Sequence, residues 1–156
     1  MAGRAFRLSS TWRLDAPVEK CWAVLADPAF SWPLWWPGVS ATAVHPAPGG
    51  LAGSAADAVF RSPLGYRLSV RLEVERAWPV TRVLLRAGGD LVGQAEARLS
   101  SPAPGRTRVD VLWRVEPTPP WMVRTGPLLA PAFAAAHAAM MRSGERGLAR
   151  HLARPA

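Results

Sequence analysis

The 156-residue sequence predicts an α+β domain spanning 1–156. A curved antiparallel sheet of about six to seven strands packs against one long C-terminal helix, with two short helices after the first strand. Two observations lead there. Residues 127–152, PLLAPAFAAAHAAMMRSGERGLARHL, set Leu129, Phe133, Ala136 or His137, Met140, Gly144, Leu148 and Leu152 at spacings of three and four. That spacing puts them on one helical face. Upstream, from residue 5 to 116, apolar and polar residues alternate in short runs broken by Gly- and Pro-rich turns, the pattern of strands with one buried face. A helix of roughly 26 residues would run about 39 Å and must lie on something apolar, which the sheet supplies. Its far side carries Arg142, Glu145, Arg146 and Arg150, the last near the end where the helix dipole favours cations.

In chain order, residues 5–14 alternate, with Phe6, Leu8, Trp12 and Leu14 on one face of a strand. Asp15 then reads as an N-cap with Pro17 in the first turn, opening a short helix with the stripe Val18, Cys21, Trp22, Leu25. Phe30, Trp32, Trp35 and Trp36 follow, too interrupted by prolines for a long helix and better suited to a helical turn and loop. This aromatic block either plugs one end of the core or lips a ligand entrance, since Trp suits half-wet positions.

Val39–His45 reads as a strand and Pro46–Gly53 as a loop without the Lys-Ser/Thr pair of a phosphate loop. Ser54–Arg61 pairs through Ser62–Gly65 with Tyr66–Ala77, where Leu68, Val70, Leu72 and Val74 point inward. Val80–Ala87, Leu91–Ser100 and Arg106–Glu116 complete the meander. Leu91, Gly93, Ala95, Ala97 and Leu99 are inward and small, so that strand either bends sharply or leaves space beneath the helix. Val109, Val111, Trp113 and Val115 face in from the last strand. Thr118-Pro119-Pro120 ends the sheet and begins a helical turn through Arg124. Pro127 then opens the long helix, and Pro131 kinks it or marks its true start.

Composition narrows the function classes. The net charge is +8, almost all of it from Arg, with Lys20 the single lysine. Such a charge can serve nucleic acid or a transient contact with an anionic membrane surface. However, Arg67, Arg71, Arg82, Arg86, Arg98 and Arg108 fall on outward strand phases, without the interleaved aromatics of a stacking platform, which argues against nucleic acid. No apolar run is long enough to span a membrane, and MAGRAFRLSSTW lacks the apolar block of a signal peptide. The one cysteine, Cys21, fits a reducing compartment, so a cytoplasmic location is expected. Oligomeric state is left open.

Chemistry-bearing residues are few. None of the three histidines stands at metal-ligand spacing from another His, Cys or carboxylate, so no metal and no cofactor is expected. Cys21 reads as a small buried hydrophobe. The one catalytic candidate is His137, on the inner helical stripe, able to bond a ligand carbonyl or act as a base. The alternative is a structural hydrogen bond to a backbone carbonyl or a Trp. Asp57 and Arg114 are candidates for the cavity mouth, although alternation turns Arg114 outward.

The element order, Ala16-Pro17 with Trp22, Trp35-Trp36-Pro37-Gly38-Val39, Gly89-Asp90-Leu91-Val92-Gly93 and His137-x-x-x-Met141-x-x-Gly144-x-x-Gly147-Leu148 resemble the START-like helix-grip superfamily (SRPBCC). They resemble in particular its bacterial polyketide cyclase/dehydrase and lipid-transport group. The likeness spans nearly the whole chain, and its motifs identify fold better than activity. Ala136 stands where many relatives have Asn, which puts any paired Asn-His role in doubt. The resemblance implies an apolar cavity between sheet and helix. The ligand-lining candidates are Trp32, Trp35, Trp36, Phe60, Tyr66, Trp113, Phe133, His137, Met140 and Met141. Three functions follow: binding or carriage of a lipid, quinone or polyketide-like molecule; cyclisation or dehydration of a poly-ketone steered by His137 and Tyr66; or a packed core that acts through a protein partner. A cavity of about 300 Å³ or more, sufficient for a drug-sized ligand, separates the first two from the third.

Overall fold

The computed structural model describes residues 5–154; the remaining ends of the expected domain, 1–4 and 155–156, lie outside the described residues. The chain begins with β1 (Phe6–Leu14), then α1 (Val18–Leu25) and α2 (Trp32–Trp35). Six strands follow: β2 (Val39–Ala47), β3 (Gly50–Arg61), β4 (Arg67–Trp78), β5 (Arg82–Gly89), β6 (Leu91–Ala103) and β7 (Arg106–Pro117). The helix α3 (Pro120–Leu152) ends the fold. All strands join one seven-stranded antiparallel sheet in the order β1-β7-β6-β5-β4-β3-β2. The α+β reading holds, with seven strands. Register shifts in β2, β4 and β6 insert bulges. Bulges bend a strand and increase its twist, which helps the sheet curl around α3.

The meander β2–β7 is built from short turns, but β1 is different. It crosses to the far edge and pairs with β7, from Phe6↔Val115 to Leu14↔Thr107. Trp12, Leu14, Val109, Trp113 and Val115 are buried on the shared inner face, with Leu148 and Leu152 of α3 in the same core. The inward sets expected from alternation in β1, β4 and β7 are therefore in place.

Several boundaries differ from the sequence reading. Asp15 does not cap α1: Pro17 occupies the N-cap position, and the Asp15 side chain is 89% exposed, 3.9 Å from Arg106. The expected loop at Pro46–Gly53 shrinks to the turn Pro48-Gly49, because pairing between Ala47 and Gly50 extends both strands. Strand β5 starts at Arg82 rather than Val80, since Val80 sits in the turn at φ +68°. The long helix begins at Pro120, so the expected separate turn is its first turn and Pro127 lies inside it. At 33 residues it extends about 50 Å. Pro127 and Pro131 each remove one internal N–H bond, which the flanking turns tolerate.

Two glycines decide how closely α3 approaches the rest. A Cβ at Gly147 would stand 1.8 Å from the Trp35 carbonyl oxygen, and one at Gly144 would stand 2.6–2.9 Å from ring atoms of Trp36 and Trp12. With no side chains there, the helix settles directly onto the aromatic block. Trp36 Nε1 then donates to the Met140 carbonyl at 3.0 Å, and Glu145 accepts from the Arg13 backbone N–H at 2.8 Å. The motif Gly89-Asp90 is likewise structural. The Asp90 carboxylate accepts from Ser69 N–H at 2.7 Å, and its carbonyl accepts from Thr118 N–H at 2.9 Å, tying the β5–β6 turn to β4 and to the end of β7.

Candidate functional site

Between the curled sheet and the middle of α3 lies a half-open, mostly apolar pocket of about 90 Å³. Strands β1, β3, β4, β6 and β7 line it on one side, Met122, Phe133, His137, Met140 and Met141 of α3 on the other, and Trp36 closes one end. Of the candidate lining residues, Trp36, Phe60, Tyr66, Trp113, Phe133, His137, Met140 and Met141 meet here. Trp32 and Trp35 do not. Their indole N–H groups are used inside the aromatic block, Trp32 on the Leu25 carbonyl at 3.0 Å and Trp35 on Ser31 Oγ at 3.4 Å. Trp12, Trp35 and Trp36 pack ring against ring with centroids 5.3–6.2 Å apart, a plug that seals one end of the grip. The block thus divides by residue: Trp32 and Trp35 close the core, and Trp36 presents a face to the cavity.

A second aromatic group stands at Tyr66 and Phe133 of the wall. Tyr66, Trp121 and Phe133 contact one another edge-on, with centroids 5.4–5.9 Å apart. Tyr66 and Phe133 form part of the cavity wall, and the same two rings, with Trp121, Leu64 and Leu129, floor an open depression of about 450 Å³ outside. Trp121 is 44% exposed and Leu64 58% exposed. Sequence reading missed Trp121 because the preceding prolines set it apart from the helical stripe. Its place in the first turn of α3 brings it over Tyr66.

The wall carries one histidine. His137 is held on α3 with its ring edge-on to Trp113, centroids 6.4 Å apart. Burial pushes its pKa down to about 4, because the apolar surroundings do not solvate an imidazolium, so the ring is neutral near pH 7. Neither His137 Nε2 nor Trp113 Nε1 has a hydrogen-bond partner among the described residues.

The other candidates lie elsewhere. Asp57 is on the outer sheet face, 3.2 Å from Arg71 and 3.3 Å from His45 Nε2, and not at the cavity mouth. Arg114 is exposed. Burial raises the Cys21 thiol above its ordinary value, with Thr107 opposing the shift, so it is a poor nucleophile. Among the described residues no three His, Cys, Asp or Glu side chains assemble as a metal site, and no helix is long and apolar enough to cross a membrane. Ala136 is buried beside His137 and offers no polar partner.

No family model matches the chain, and a comparison with curated proteins finds no match. Solved structures do match. A protein of Thermus thermophilus aligns with TM-score 0.71 at 18% identity, over 94% of this chain and 97% of that one. The di-domain ARO/CYC BexL aligns with TM-score 0.71 at 17% identity, covering 97% of this chain and 51% of BexL, so this chain spans about half of it. A protein of Rhodobacter sphaeroides aligns with TM-score 0.61 at 24% identity, over 94% and 91%. At these identities the likeness establishes the fold. It is a helix-grip.

Proposed function

We propose that this chain binds an apolar small molecule between the sheet and α3, entering past Tyr66, Trp121 and Phe133. The observation that carries the reading is the wall itself: a mostly apolar lining in the grip of sheet and helix, with a neutral His137 set into it. A volume of about 90 Å³ is below the ~300 Å³ typical of drug-sized ligands. It accommodates a single small ring as it stands. A larger lipid, quinone or polyketide-like ligand requires the three rings to turn aside, which would join the cavity to the depression outside. Met122, Met140 and Met141 favour such adaptation, because unbranched thioether chains repack at low cost.

Native mass spectrometry of the protein purified from its own host, followed by extraction of the bound species, tests this directly. The expected result is a stoichiometric apolar adduct that is lost when Leu91→Trp fills the wall without lowering the melting temperature. Absence of an adduct, together with no displacement or fluorescence response to any apolar compound, would leave the packed-core reading with a protein partner.

A second reading, cyclisation or dehydration of a poly-ketone, is supported by the shared fold with an aromatase/cyclase and by the imidazole on the wall. Its difficulty is chemical. A base whose conjugate acid has a pKa of about 4 abstracts protons weakly at neutral pH. His137→Ala separates the readings: lost turnover with retained affinity supports the enzyme, and unchanged product formation removes His137 from any mechanism.

A further inference from the structure

The two unpartnered nitrogens of the wall have a chemical meaning. Trp113 is 7% exposed on β7, and its Nε1 has no hydrogen-bond partner among the described residues; His137 Nε2, on α3, has none either. The other indoles nearby show that this is not a general feature of the fold. Trp32, Trp35 and Trp36 each place their N–H on an oxygen. Trp12 Nε1 is also unpartnered, but Trp12 belongs to the plug and does not line the cavity. A buried polar atom without a partner costs free energy comparable to a lost hydrogen bond. Here both residues line one apolar pocket, with ring centroids 6.4 Å apart, and each nitrogen is covered by the wall around it, so a ligand reaches them only as the adaptable wall repacks.

We propose that the ligand carries a neutral oxygen, a hydroxyl or a carbonyl, at the end that reaches Trp113 and His137. The inference rests on the cavity-binding reading above and specifies the ligand class for that site. Trp113 N–H only donates, so its partner must accept. A neutral imidazole nitrogen donates or accepts according to tautomer. A hydroxyl therefore meets both groups in either case, and a carbonyl meets both when Nε2 carries the proton. A carboxylate would enter a wall that has no cationic side chain and would lose its hydration uncompensated. An ammonium group has no lone pair for the Trp113 N–H. A neutral acceptor is what remains, and of the neutral groups the hydroxyl is the one that serves both nitrogens in either tautomer.

The test uses p-xylene, p-cresol and p-toluate, three single rings of one shape that differ in a methyl, a hydroxyl or a carboxylate. Affinities are measured by ligand-observed NMR and calorimetry. In a wall without a polar role p-xylene binds tighter than p-cresol, because the hydroxyl gives up its water on entry. The expected result is p-cresol at least as tight as p-xylene, with p-toluate weakest. Trp113→Phe and His137→Phe should each weaken p-cresol by roughly tenfold more than they change p-xylene. Should a variant not fold, the wild-type series still decides. So does the Trp113 indole N–H resonance, expected to move downfield with p-cresol and not with p-xylene. If p-xylene leads p-cresol in the wild type, the neutral-oxygen inference fails and cavity binding stands. If p-toluate binds tightest, the class is anionic and the inference fails in the same way. If none of the three binds at saturating concentration, the inference falls together with the statement that the pocket accepts a single ring as it stands, and the binding reading is then decided by the native mass spectrum.

Discussion

Gly147 and His137 illustrate two kinds of single-residue control. Gly147 has no side chain because the Trp35 carbonyl occupies the space a Cβ would need, 1.8 Å away. Gly147→Ala must push α3 off the aromatic block, an overpacking cost of about 1–3 kcal/mol or more. Thermal unfolding should register it as a fall of several degrees, whereas Gly49→Ala, with nothing within 4 Å of its Cβ, should change little. Equal melting temperatures would show that the helix seats elsewhere. His137 acts through solvation. Its pKa is about 4 in the fold against an ordinary 6.5, so the unfolded chain takes up a proton that the folded one refuses. The stability tied to the neutral ring is fully present above pH 6.5 and is lost as the pH falls from 6.5 toward 4. The loss should be roughly 2–3 kcal/mol. Urea midpoints at pH 7, 5.5 and 4.5 should therefore fall more steeply for the wild type than for His137→Phe. Parallel curves would mean that the imidazole is not desolvated.

Among the elements, α3 was legible as a helix but not in its length. The spacing Phe133, His137, Met140, Gly144, Leu148 is a helical stripe in any context. Prolines at 120, 127 and 131 look like boundaries, because each is compatible with a first turn and each breaks a hydrogen bond inside. Contacts override that local rule here: Met122 and Gly126 are buried in the early turns, and Trp121 packs on Tyr66 and Phe133. Pro131→Ala restores one N–H bond at an exposed position and should raise stability by about 1–3 kcal/mol, read as a higher melting temperature. A fall instead would mean that the proline-shaped backbone is what seats Phe133 against Phe6 and Tyr66. In the aromatic block the sequence could not assign roles to Trp32, Trp35 and Trp36. They share one short helical turn and its cap, so they point in different directions. Their partners, Leu25, Ser31 and Met140, come partly from another element.

For the molecule as a whole, the grip has two aromatic ends with different tasks. The Trp12–Trp35–Trp36 plug is buried, with Trp35 and Trp36 hydrogen-bonded, and the Tyr66–Trp121–Phe133 group borders the open depression. If the second end admits ligand, Trp121→Ala should speed both association and dissociation of an apolar probe by about tenfold, the equivalent of roughly 1.4 kcal/mol off the barrier, with a smaller change in Kd. Stopped-flow fluorescence measures this, and unchanged rates would place the entrance elsewhere. The helical face, the inward sides of β1, β4 and β7 and the burial of Cys21 could be read from the chain, because periods of 3.6 and 2 are local properties of covalent geometry. The pairing of β1 with β7 across about a hundred residues, the closeness of α3 at Gly144 and Gly147, and the meeting of Trp113 with His137 could not. Those depend on which surfaces meet after the sheet curls, and no local pattern encodes a contact between residues so far apart along the chain.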